Sequence, residues 1–128
     1  MRLYSVSCSL LMEKPGFNHV RTFRQRNALS EGDLGFLIGR SQSTVSSTEL
    51  GDSVPNLDAA LALQVLFHLP PKELFPAYYE KVEERVMRQT AMLIDALERE
   101  LDRKSDRRLL AKLEFLEGLA SGANDIDL

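Results

Sequence analysis

The chain has no tryptophan, one cysteine and two histidines among its 128 residues. With Cys8 alone, no internal disulfide can form and a cysteine-rich metal site has no material. His19 and His68 stand far apart, which leaves a histidine site equally short of ligands. Aromatic residues make up only 7%, so a core has to be built from Leu, Val, Ala and Phe. Nothing approaches the roughly 20 apolar residues of a membrane span. The opening MRLYSVSCSLLMEK is too short for a signal peptide, whose apolar region of about 7–15 residues lies between a basic segment and a cleavage site. Met12 offers a second start within it. No Gly-rich phosphate loop, metal-ligand spacing or nucleophile–His arrangement occurs, so no catalysis, metal or cofactor is expected. A reducing, cytoplasmic setting is expected.

What is present is helical periodicity without β-branched runs, which predicts an all-α fold. The formal net charge of −3 argues against a surface coated in positive charge but leaves room for a local basic face. Asn18 is placed to cap a first helix carrying Val20 and Phe23 inward and Arg21, Arg24 and Arg26 as its charges. Ser30 and Asp33 form a capping-box pattern before EGDLGFLI, and Gly39 ends that helix with a tight turn. Ser41 caps QSTVSSTEL, which Gly51 stops. Asn56 caps LDAALALQVLF, apolar on nearly every side and so expected to be buried all round. Pro71 opens a one-turn fifth helix. From Pro76 the pattern becomes a long amphipathic helix with Tyr79, Val82, Val86, Leu93, Leu97 and Leu101 along one stripe. A last helix, RRLLAKLEFLEGLA, follows a short turn. The division expected is a leader over 1–17, a small helical domain over 18–76 and a helical tail over 77–128.

Leu29 to Phe75 resembles the phage-repressor (Cro/Xre-type) helix-turn-helix family. The shared marks are Leu29-Ser30, Leu34, Leu37, Gly39, Ser41, Val45, Ser46, Glu49, Gly51, Pro55, Leu61-Ala62-Leu63 and Glu73-Leu74-Phe75, over about half of the chain directly. The resemblance implies a five-helix repressor-type domain followed by a C-terminal helical hairpin, and a third helix that reads operator DNA. It places Gln42, Ser43 and Ser47 at base-contacting positions and Thr44 at a phosphate-contacting one. It pairs Arg24 with Glu49 as a salt bridge between the first and third helices. Physically, Leu34, Leu37 and Val45 are expected to build the core behind the turn. The third helix is then left with uncharged donors and acceptors of the kind that read base edges. Arg21, Arg26 and Arg40 are the cations available for phosphate.

The departures point another way. Glu31 stands where many members carry a phosphate-contacting Gln, and Gly35 where a small Ala is usual, at a helix cost of about 1 kcal/mol. From Glu31 to Asn56, Arg40 is the only basic residue against Glu31, Asp33, Glu49 and Asp52. Because phosphate neutralisation supplies most non-specific affinity, one copy should bind double-stranded DNA weakly and two copies better. A homodimer is therefore expected, with Val82, Val86, Leu93 and Leu97 as its contacts, acting more as a repressor than an activator. The alternative is a diverged helix-turn-helix module, anti-activator or antitoxin-like, that binds a protein partner without strong DNA affinity.

Overall fold

The computed structural model describes residues 17–104 and 106–122, and every regular element among them is helical. In chain order these are α1 (Val20–Arg26), α2 (Glu31–Ile38), α3 (Gln42–Leu50), α4 (Leu57–Phe67), α5 (Pro71–Leu74), α6 (Pro76–Arg103) and α7 (Arg107–Ala120). All of the expected leader except Phe17 lies outside the described residues, Cys8 included. The chain forms two compact units, residues 1–81 and 82–128, and the boundary falls inside α6.

The helix ends follow from local chemistry. Ser30 Oγ accepts from the Asp33 N–H at 2.9 Å, and Asp33 Oδ2 accepts from the Ser30 N–H at 3.0 Å, closing a capping box. Ser41 caps α3 through the Thr44 N–H at 3.2 Å. Asn56 caps α4 through the Ala59 N–H at 2.9 Å, and Pro71 opens α5. Gly39 (φ 74°) and Gly51 (φ 85°) end α2 and α3 in the left-handed conformation, which costs glycine nothing. His68 ends α4 at φ 59°. At α1 the capping side chain stands one residue further out than the boundary position, His19. Asn18 Oδ1 accepts from the Val20 N–H at 3.1 Å while its amide donates to the Thr48 carbonyl at 2.8 Å. One side chain thus caps α1 and ties it to α3.

In the first unit the core consists of Val20, Leu34, Ile38, Val45, Ala59, Leu63, Leu74 and Phe75, with Phe23, Leu66 and Tyr78 packed against it. Two expectations need correction here. Leu37 is 48% exposed and Ile38 takes the inward place expected for it. On a helix as apolar as α2 the hydrophobic period does not say which of two neighbours turns in. The fourth helix is not buried all round either. Ala59 and Leu63 face the core, while Leu57, Leu61 and Val65 point away and are exposed. An eleven-residue helix in a domain this small has core on one side only.

In the second unit, α6 and α7 bury Leu97, Leu109 and Leu113 against one another, with Ile94, Leu101 and Leu116 around them. Full burial of each leucine is worth about 1.5–3 kcal/mol. The inward stripe of α6 runs Thr90, Ile94, Leu97, Leu101, and the buried Thr90 hydroxyl donates to the Val86 carbonyl at 2.7 Å. The single stripe expected from the sequence therefore splits: Leu97 lies in the core, Val82 is half-buried, and Tyr79, Val86 and Leu93 are exposed.

Candidate nucleic-acid interface

The turn between α2 and α3 is set by close backbone approach. The Arg40 N–H donates to the Gly35 carbonyl at 2.8 Å. A Cβ on Gly35 would lie 2.5 Å from the Arg40 carbonyl oxygen and 3.4 Å from Ser41 backbone atoms. The glycine that looks like a helix defect in the sequence is what lets the chain double back over α2. It brings α3 across α2, with Val45 and Thr48 facing the core.

At about 100° per residue, Ser43 and Ser47 fall on the side of α3 opposite Val45. Gln42, Ser43 and Thr44 are exposed, and Ser46 and Ser47 half-buried. The Ser41 hydroxyl lies 3.2 Å from the Ser43 hydroxyl and 2.9 Å from that of Thr44, a cluster at the helix start. Gln42 reaches back over the start of α2, where the bare Gly32 leaves its Oε1 room: a Cβ there would stand 3.8 Å away. These side chains, with Ser46 and Leu50, line one shallow depression flanked by Glu31 and Asp52.

Arg24 and Glu49 meet. Arg24 Nε donates to Glu49 Oε2 at 2.5 Å and Nη2 donates to Oε1 at 3.1 Å; Nη1 donates to the Leu29 carbonyl at 2.9 Å. The two side chains are 10% and 3% exposed. The Glu49 hydrogen bond raises the Arg24 pKa against the opposing effect of burial, and the charges of Glu49 and Glu31 add to it.

The other cations are scattered. Arg40 is half-buried and donates to the Gly39 carbonyl at 3.2 Å. Arg26 lies over the Phe23 ring, 4.8 Å from its centroid. Round α1, Arg21 lies about 60° from Arg24 and Arg26 about 160°, so the arginines of this helix do not form one strip. Val82, Val86, Leu93 and Leu97 belong to α6, and Leu97 is occupied by its own chain.

Three features escaped the reading of the sequence. The Asn18 bridge to Thr48 has no sequence signal, because it joins residues thirty apart. Leu50, 64% exposed, extends the Ser43–Ser47 row; helical spacing would have shown it. Between Arg40 and Lys72 the chain has no Lys or Arg at all, which a longer count would have found. Among the described residues, no group of three or more His, Cys, Asp or Glu could hold a metal ion. No described helix is long and apolar enough to cross a membrane. No family model, curated protein or solved structure matches this chain.

Proposed function

We propose that the protein is a cytoplasmic, non-enzymatic DNA-binding regulator, a homodimeric repressor that reads operator DNA through α3. In this reading α2 and α3 are the helix-turn-helix, α1 to α5 the repressor-type domain, and α6 with α7 the helical hairpin of the tail. The observation that carries it is the inward turn of Glu49 onto Arg24. With that carboxylate removed from the surface, α3 presents only neutral groups at its exposed start and middle: Gln42, Ser43 and Ser47 toward bases, Thr44 toward phosphate. Gln bonds adenine bidentately, and hydroxyls bond either partner of a base pair. Arg21, Arg26 and Arg40 supply the phosphate contacts, together with backbone N–H groups at the starts of α2 and α3.

So few cations make one copy a weak binder. Pairing through the exposed Val86 and Leu93 of α6, beside Val82, would supply two reading helices about 34–36 Å apart, one turn of DNA. The deciding experiment selects bound fragments from genomic DNA and follows them by gel shift at low and moderate salt. A sequence-selective complex supports the reading, and its absence at low salt sinks it.

A second reading has its own observation. Glu31 and Asp52 flank the depression on α3, and the absence of Lys and Arg from Ser41 to Pro71 favours a protein partner over phosphate. It predicts no DNA complex and a bound protein whose contact is weakened by Ser43→Arg.

A further inference from the structure

We infer that the outer face of α4 is a self-association surface, a second one beside that proposed for the tail, which seats α4 of a second copy. Leu57 and Val65 are 73% and 71% exposed and Leu61 is 49% exposed, while Ala59 and Leu63 on the opposite side are buried. The three exposed residues stand at i, i+4 and i+8. That spacing forms the helix ridge which packs into the matching groove of another helix at about −50°, the commonest crossing in globular proteins. At such an angle two helices touch over a few residues only, which is the length of this ridge.

Charge selects the occupant. The outer face carries one charged group, Asp58, and the nearest basic residues in sequence are Arg40 and Lys72. Neither a nucleic acid nor an acidic peptide finds a cation there. Asp58 and Gln64 lie about 60° to either side of Leu61. Two two-fold arrangements lay the ridge on its own copy. One sets Asp58 against Asp58 of the second copy, which like-charge repulsion disfavours. The other lays Leu57 beside Leu57 and sets Asp58 against Gln64 of the second copy, whose amide donates to the carboxylate. The face is therefore self-complementary in one orientation. It is smaller than the roughly 20–30 residues a side of a standard interface, so this contact is weak and adds to pairing elsewhere on the chain. It stands whether or not DNA is bound.

The test uses the full chain with Cys8→Ser and with Val86→Asp and Leu93→Asp, which silence the tail. Leu61→Cys in this chain should form a disulfide-linked dimer under mild oxidation, well ahead of a control with Gln25→Cys on the exposed side of α1. In sedimentation equilibrium, Leu61→Asp should weaken association by at least about tenfold. Gln64→Lys should tighten it by roughly two- to fivefold and Gln64→Asp weaken it similarly. All these positions are exposed, so circular dichroism should show an unchanged fold. A Leu61→Cys chain that cross-links no faster than the control, with association indifferent to residues 61 and 64, overturns the inference. The ridge would then belong to another partner or to residues 1–16.

Discussion

Arg24 of α1 holds Glu49 of α3 through two hydrogen bonds, 2.5 and 3.1 Å long, and spends a third on the Leu29 carbonyl. Both side chains are almost wholly buried. The pair does two things: it fixes the end of α3 on α1, and it keeps a carboxylate off the surface of α3. Removing either partner leaves an uncompensated buried charge. Arg24→Ala or Glu49→Ala should therefore cost about 3–5 kcal/mol in urea denaturation. Arg24→Lys, which keeps the charge but loses the forked geometry, should cost about 1–3 kcal/mol. Losses within experimental error would deny the pair a structural role.

Two glycines of α2 should respond with opposite sign to the same substitution. Around Gly32 a new Cβ meets only side-chain atoms at 3.7 and 3.8 Å, ordinary contact. Gly32→Ala should stabilise by up to about 1 kcal/mol through helix propensity. At Gly35 the Cβ would strike the Arg40 carbonyl at 2.5 Å, a backbone atom that cannot swing away. Gly35→Ala should destabilise by about 1–3 kcal/mol. Thermal denaturation of the two variants side by side checks the contrast.

Much of the fold was legible because it is written in local signals. Ser30, Ser41, Asn56 and Pro71 each announce a helix start a few residues ahead, and the structure places α2 to α5 where they point. What could not be read was direction. Leu37 and Ile38 are equally apolar neighbours, and only the position of α4 decides which turns in. On α4 itself, Leu57, Leu61 and Val65 look as buriable as Ala59 and Leu63, because the sequence carries no polar face to mark the outside. On α6, Val86 and Leu93 form a row beside Thr90, Ile94 and Leu97, and a threonine in the inward row hides it. The Arg24–Glu49 contact came from family resemblance, since twenty-five residues of separation leave no periodic trace.

The same split on α6 predicts two behaviours. Leu97 packs with Leu109 and Leu113, so Leu97→Ala should destabilise the 82–128 unit by about 2–5 kcal/mol. Leu93, 48% exposed, has little core to lose, and Leu93→Ala should change stability by less than about 0.5 kcal/mol. If α6 pairs two copies, Leu93→Ala instead lowers their association in sedimentation. A large stability loss at Leu93 would show that it faces the interior.

Acid should loosen the start of α2. The Ser30 backbone N–H, and after it the Ser30 hydroxyl, hold the Asp33 carboxyl below its ordinary value. Its folded pKa being the lower one, the unfolded chain takes up the proton first as pH falls. The stabilisation is complete above the unfolded value near ~3.9 and is lost as pH drops through the folded value. Asp33→Asn should flatten that part of the stability–pH curve, whereas Ser30→Ala should cost about 0.5–2 kcal/mol at neutral pH. A variant curve parallel to the wild type would show that Asp33 does not act through the capping box.

If α3 reads DNA, bases and phosphates should separate by mutation. Gln42→Ala should lose about 1–3 kcal/mol of preference at one base position and leave binding to unrelated sequences unchanged. Arg21→Ala should weaken all sequences alike and reduce the salt slope by about 1. With Arg21, Arg26 and Arg40 from each of two copies, six phosphate contacts at about −0.9 each give a slope near −5 at most. A steeper slope would require cations other than these three. No slope, with no selective complex, would mean that turning Glu49 inward serves the fold alone and that the face around Ser43 and Ser47 belongs to a protein partner.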